Sequence, residues 1–337
     1  MATGFRSQEM TDHYIGPIQP LLDMPEVTEV CVNPDGTVWT QERGERFMKK
    51  AAVTFDENRV NQIGKQVGNN AAVKFDNARN PIVTADMAGS HGNARIQVVA
   101  APACEGTGAI AIRKLGIRNI PLGSYAFSDG ARVYRGKNTE RMAGMQGRLE
   151  REDMPFPDLA AIAIDEKWNM LISGGTNSGK TSLTNAMLSL VPREERIVTI
   201  ESVRELRLDQ PNTVHLLSDD DKDKGRTTTK LMEAVLRLRP DRFIAGEIRG
   251  SEASDFLEIV NTGHPGSVCT MHANNPREAM RRLTKMVRRG MPGAGVEEIY
   301  GDIRQTIDMI IQIGWDGTER RIQSVFFPAL MDRAALE

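Results

Sequence analysis

From about residue 12 to 115, apolar and polar positions alternate in short runs broken by turn residues. That pattern predicts strands with one helix among them. Val27 to Val32 reads as a strand, Asn33-Pro34-Asp35-Gly36 as a turn, and Thr37 to Gln41 as the returning strand of a hairpin. Thr54 followed three residues on by Glu57 predicts a capping box, with Val60, Ile63 and Val67 on one face of a helix over about 55–69. Arg95 to Val99 and Ala109 to Arg113 read as two further strands on either side of a Pro/Gly-rich loop, Ala101 to Gly108. They are expected to pair antiparallel, with Arg95 and Arg113 toward the margins of the sheet.

The pattern weakens between 116 and 157, a stretch rich in Gly, Arg, Met and Pro, so a linker is expected over 121–157. Beyond Pro157, apolar strands alternate with helical periods, the mark of a mostly parallel sheet covered on both faces. Strands are predicted at 169–173, 196–200, 213–217, 242–246, 267–271 and 308–313, and helices at 180–190, 228–239, 251–262 and 276–289. Pro240 should close the second of these helices. The expected organisation is a smaller α+β domain with an antiparallel sheet over 12–120 and an α/β domain over 158–332.

At 337 residues the chain has room for two domains, in agreement with that division. A formal net charge of −2 gives no electrostatic case for coating nucleic acid. No stretch approaches the roughly 18 apolar residues of a membrane span, and Met1 to Met10 lacks the apolar region of a signal peptide, so a cytoplasmic location is expected. Cys31, Cys104 and Cys269 stand alone in sequence, which suggests buried small side chains and neither disulfides nor a zinc site.

The chemistry concentrates in the second half. Gly174-Gly175-Thr176-Asn177-Ser178-Gly179-Lys180-Thr181 is a complete G-x-x-x-x-G-K-[ST] loop, entered from an apolar run and left into a helical pattern that begins with Ser182 and Leu183. Backbone N–H groups of such a loop converge on nucleotide phosphates, Lys180 supplies positive charge to the β- and γ-phosphates, and the Thr181 hydroxyl is placed for Mg²⁺. ATP and Mg²⁺ are the expected ligands. Phosphoryl transfer to water needs a further acid at the end of a neighbouring strand, and Arg242-Phe243-Ile244-Ala245-Gly246-Glu247 supplies one in Glu247. Arg239, just upstream, is expected to reach a phosphate or to cap its helix. Glu201 and Glu205 follow the strand at 196–200, on the edge that faces the ligand in a doubly wound sheet. His264 and His272 flank the next strand, and His272 is placed to sense the γ-phosphate.

Together, the loop, T-I-E-x-x-x-E-L, R-L-R-P-D-R-F-I-A-G-E-I-R-G, T-G-H-P-G and T-M-H-A-N resemble the secretion ATPase superfamily, whose motors serve type IV secretion, type II secretion and type IV pili. The resemblance runs from roughly 20 to 330. It implies a RecA-like core, with Glu205 as the Asp-box acid, Glu247 as the Walker B acid and His272 as the His-box residue. It also implies that Arg95 and Arg113 close onto the γ-phosphate. Ser202 departs from the Asp common in the family, so Glu201 and Glu205 both remain candidates for the Asp box.

Gly250, the lack of paired cysteines and the short N-terminal part resemble the VirB-type branch of type IV secretion and conjugation. That branch implies a homo-hexamer, inner-membrane partners, peripheral association with the inner membrane through them, and protein or nucleoprotein cargo. Alternatives are a nucleotide-gated scaffold and a DNA translocase. Only the basic run from Arg281 to Arg289 supports the translocase, and direct nucleic-acid binding is not expected from a chain with 5% aromatic residues.

Overall fold

The computed structural model of the chain describes residues 13–89, 92–115 and 139–330. A short helix, α1 (Gln19–Asp23), leads into β1 (Val27–Val32), β2 (Thr37–Glu42), β3 (Lys49–Thr54), α2 (Glu57–Asn70), β4 (Ile82–Gly89), β5 (Gly92–Val99) and β6 (Ala109–Lys114). These strands form an antiparallel sheet in the order β3-β2-β1-β6-β5-β4. Its inner strands carry buried apolar residues on both faces. Val30, Val32, Val38, Ile96, Val98, Ile110 and Ile112 share a core with Val60, Ile63 and Val67 of α2. One residue along each strand, Cys31, Trp39, Val99, Ala109 and Ala111 join a different core, shared with the C-terminal sheet. The period of two therefore presses the N-terminal sheet between its own helix and the rest of the molecule.

The hairpin and the β5–β6 pairing agree with the sequence pattern, and Arg95 lies directly opposite Arg113. The expected capping box is not formed. Thr54 is engaged in the β2–β3 ladder opposite Thr37, so α2 starts later and Asp56 caps it, accepting from Arg59 N–H at 2.7 Å.

The second half comprises α3 (Thr139–Glu150), α4 (Phe156–Asp165), β7 (Met170–Ser173), α5 (Lys180–Leu188), β8 (Ile197–Glu201), β9 (Thr213–Leu217) and α6 (Thr228–Val235). Then follow β10 (Arg242–Ala245), α7 (Glu252–Asn261), β11 (Val268–Met271), α8 (Pro276–Gly290), α9 (Val296–Thr306), β12 (Met309–Trp315) and β13 (Arg320–Phe326). The sheet order is β13-β12-β7-β11-β10-β8-β9, parallel throughout except for β13. All six predicted strands are present. Helix α6 stops earlier than predicted: Leu236 to Leu238 turn tightly and Arg239 takes a left-handed φ of 54° before Pro240.

Part of the expected linker is helical. Residues 116–138 lie outside the described residues, but α3 occupies Thr139–Glu150 and packs Met142 and Met145 into the core of the C-terminal sheet. Gly144 and Gly147 dilute its amphipathic pattern, which is why the period was faint.

The two halves meet along the edge strand β9. Leu217 N–H donates to Ala103 O at 2.9 Å and Glu105 N–H to His215 O at 3.2 Å, so the 101–108 loop covers that edge. Behind it, Arg196 is 0% exposed and donates to Leu238 O at 2.9 Å and to the side-chain oxygens of Asn33 and Asn212. Cys31, Cys104 and Cys269 are buried free thiols, each with its pKa pushed up by burial. Among the described residues, no helix is long and apolar enough to cross a membrane.

Candidate active site

The parallel strands β7, β8, β10 and β11 all end on one edge of the C-terminal sheet, and the candidate residues follow those ends. Between β7 and α5 the loop 174–179 folds back on the sheet. Gly174 lies so near β12 that a Cβ there would meet Ile313 O at 2.4 Å, and Gly179 has a φ of 96°, open to glycine. Gly175, Thr176 and Asn177 form the exposed crest of the loop, and Ser182 lies exposed in the first turn of α5. Lys180 points inward, its Nζ donating to Gly174 O at 3.0 Å and Gly175 O at 2.8 Å. Burial lowers its pKa, with Glu247 pulling the other way.

Three features suit the loop to an anion. The N-cap of α5 is Gly179, with no side chain over the first N–H groups, so the positive end of the helix dipole faces the loop. Lys180 adds charge, and Ser178 Oγ is buried without a hydrogen-bond partner.

His272, after β11, links the loop to the acid after β10. Its Nδ1 lies 3.4 Å from Lys180 Nζ and its Nε2 3.2 Å from the Glu247 carboxylate. The Nε2–H tautomer satisfies both contacts, accepting from lysine and donating to carboxylate. Burial pulls the Glu247 carboxyl upward, but Arg249, bonded at 2.8 Å, together with His272 and Lys180, outweighs it and the net shift is downward. Glu247 is thus held ionised, suited to accept a hydrogen bond from water.

The two remaining acids divide their work. Glu205 Oε2 accepts from the Thr181 hydroxyl at 2.8 Å. Glu201, 5% exposed, uses Oε1 to accept from the backbone N–H groups of Glu205 and Leu206, each at 2.9 Å. Burial raises the Glu201 pKa, although those two bonds oppose it. A cavity of about 450 Å³ opens between these groups, bounded by Thr181, Glu201, Glu205, Glu247, Arg249 and Thr270.

Not every candidate comes to this edge. Arg239 precedes β10, at the other end of a strand whose far end carries Glu247, and pairs with Glu29 of β1 at 3.4 Å. Its expected reach to a phosphate is therefore not made. Arg95 is held by Asp86 at 2.8 Å on the N-terminal sheet, and Arg113 lies opposite Glu29, so neither contacts the loop. His264, before β11, sits near Ile259 O at 3.0 Å at the end of α7, a structural position.

The structure also adds a residue that the sequence pattern missed. Arg320, at the start of β13, donates to Asn177 Oδ1 at 2.9 Å and Asn177 O at 3.2 Å. Asn177 has a left-handed φ of 59°, so Arg320 clasps the crest of the loop where its backbone is strained.

A parallel sheet with this loop, a lysine inside it and acids on the adjoining strand ends defines a P-loop nucleoside triphosphatase. The family described as Type II/IV secretion system protein matches residues 143–313. The chain is 31% identical over 348 residues to the type IV secretion system protein PtlH of Bordetella pertussis, covering 95% of this chain and 96% of the relative. It is 30% identical over 335 residues to VirB11 of Brucella suis, covering 95% and 91%. The crystal structure of the Brucella suis VirB11 ATPase in complex with sulphate superposes with a TM-score of 0.86 at 28% identity, covering 98% of this chain and 97% of that one. The chain belongs to the Type II/IV secretion system protein family and is an ATPase of the type IV secretion branch.

Proposed function

We propose that this chain hydrolyses ATP as a homo-hexameric motor that powers substrate transfer or pilus assembly in a type IV secretion or conjugation system. The observation that carries the reading is the continuous line Lys180–His272–Glu247, with Thr181–Glu205 beside it, on one edge of the sheet. Loop amides, Lys180 and the N-terminus of α5 would hold the triphosphate, and Glu247 would orient the attacking water. His272 lies where a change at Lys180 reaches Glu247.

The residues also fit Mg²⁺. Thr181 Oγ1 and the Glu205 carboxylate offer oxygen donors beside the loop, the donor type that Mg²⁺ takes. Thr181 would hold the ion directly and Glu247 through water, and its positive charge would offset the charge of the phosphates.

Arg95 and Arg113 would serve the γ-phosphate only in another arrangement of the two sheets or from a neighbouring subunit. The two sheets thus act as two domains whose relative movement is the stroke. The motor would work at the cytoplasmic face of the inner membrane, bound to channel proteins, on protein or nucleoprotein cargo. Helix α8 supports no DNA-translocase role: its apolar side is core, through Met280, Leu283 and Val287, and its exposed arginines carry no aromatic platforms.

The test is steady-state ATP hydrolysis by the wild type, Lys180→Ala and Glu247→Gln, with mass by light scattering. Hydrolysis by a hexamer, lost in both variants while Glu247→Gln still binds ATP, supports the motor. A ring that binds ATP with Mg²⁺ and never hydrolyses it refutes it in favour of a nucleotide-gated scaffold.

A further inference from the structure

β8 ends at Glu201 and the segment after it carries Glu205, and the neighbours of this stretch on either side belong to different halves of the molecule. Toward the phosphate loop, Glu205 accepts from Thr181, while Asn185 of α5 accepts from Arg207 N–H at 2.9 Å and donates to Glu205 O at 3.3 Å. Toward the N-terminal half, the guanidinium of Arg204 bonds the carboxylate of Glu105 and lies 3.1 Å from His215 Nε2. Glu105 belongs to the 101–108 loop that covers β9, and its own N–H donates to His215 O. His215 Nδ1 in turn lies 3.0 Å from the Thr199 hydroxyl, which reaches the Glu201 carboxylate at 3.5 Å.

We propose that Arg204 is a positioning residue of the ATPase site, through which the N-terminal half, by way of Glu105, sets the placement of Glu205 against Thr181. Adjacent Cα atoms are joined by a rigid peptide about 3.8 Å long, so Arg204 cannot shift far without carrying Glu205. Glu201 Oε1 holds the next two N–H groups together, which makes 204–206 one mechanical piece. The N-terminal arginines 95 and 113 do not contact the loop here, whereas the Glu105–Arg204 pair joins that half to the site directly. Among the contacts that join the two halves, this pair is the one next to Glu205, so a movement of the N-terminal half relative to the C-terminal sheet acts on the site through it. Arg204 is 45% exposed and Glu105 26%, so the pair contributes little to folding and its loss is legible as a change at the site.

This inference rests on the ATPase reading, and the experiment separates the two. In the full chain, Arg204→Glu, Glu105→Arg, the double exchange and the milder Glu105→Gln are compared with wild type. The readouts are kcat and KM for ATP, ADP affinity, thermal midpoint, and amide hydrogen exchange over 202–207 without nucleotide. Each reversal is expected to lower kcat about tenfold, a misplacement effect, with ADP affinity and thermal midpoint unchanged and exchange over 202–207 faster. Glu105→Gln should shift in the same direction by less, and the double exchange should restore both kcat and protection. The proposal is overturned if the reversals keep full kcat and protection, or if the double exchange is as impaired as either single change. If the wild type proves unable to hydrolyse ATP, the ATPase reading fails, and the exchange protocol still decides whether the tether exists.

Discussion

Glu201 and Glu205 look interchangeable as a pair of carboxylates after one strand, and replacing each in turn should show that they are not. The structure gives Glu201 a holding role: one carboxylate oxygen accepts two backbone N–H groups in a site where the side chain is 5% exposed. Hydrogen bonds to a charged group are worth about 1.5–3 kcal/mol each, and the burial that raises the Glu201 pKa offsets part of that. Glu201→Ala should therefore cost on the order of 2–4 kcal/mol in urea denaturation. Glu201→Gln keeps a carbonyl oxygen for both N–H groups, so it should cost about 1 kcal/mol and leave kcat within about threefold. Glu205→Gln should show the opposite pattern, with stability nearly unchanged and kcat down roughly a hundredfold, because the charge beside Thr181 is lost. There is a pH signature as well. A carboxyl whose folded pKa is raised adds stability below its unfolded value of 4.5 and loses that contribution as pH rises through the folded value. The stability of wild type relative to Glu201→Gln should thus be greatest at acidic pH. A Glu201→Gln protein that folds with wild-type stability yet has no turnover would refute the division of roles.

His215 is expected to give the reverse pH dependence. Burial, with Arg204 adding to it, lowers its pKa from 6.5 to about 4, so the unfolded chain binds the extra proton between those values. Its contribution is complete above pH 6.5 and is lost as pH falls toward 4, by on the order of 3 kcal/mol at 1.36 kcal/mol per unit. Urea denaturation of wild type and His215→Gln at pH 7 and pH 4 measures it, and a difference that does not change with pH counts against it. Arg320→Ala should weaken ADP binding about fivefold by freeing Asn177, with Arg320→Lys intermediate, as titration calorimetry would show. Equal affinities in all three proteins would mean that the clasp does not shape the loop.

The parts legible in the sequence are those whose causes are local. The C-terminal strands are four- to seven-residue apolar runs bounded by turns, because a parallel sheet buries both faces, and the phosphate loop is one contiguous stretch. Strands β3 and β13 were illegible for the same physical reason inverted. Both are sheet edges, partly exposed, and rich in Lys or Arg, so they lack the alternation that burial imposes. Arg320 rides on one of them and meets Asn177 from 143 positions away, a pairing no local pattern announces. Arg239 shows the converse error. Nearness in sequence to Glu247 suggested a shared site, yet a parallel strand carries the chain from one edge of the sheet to the other at about 3.3 Å per residue. The four residues of β10 are enough to put Arg239 on the edge where the two halves pack and Glu247 on the edge where phosphate chemistry belongs. The same geometry explains why Arg204 can join the N-terminal half to the site. That residue follows a strand end on the chemical edge, and it sits beside β9, where the N-terminal loop already covers the sheet.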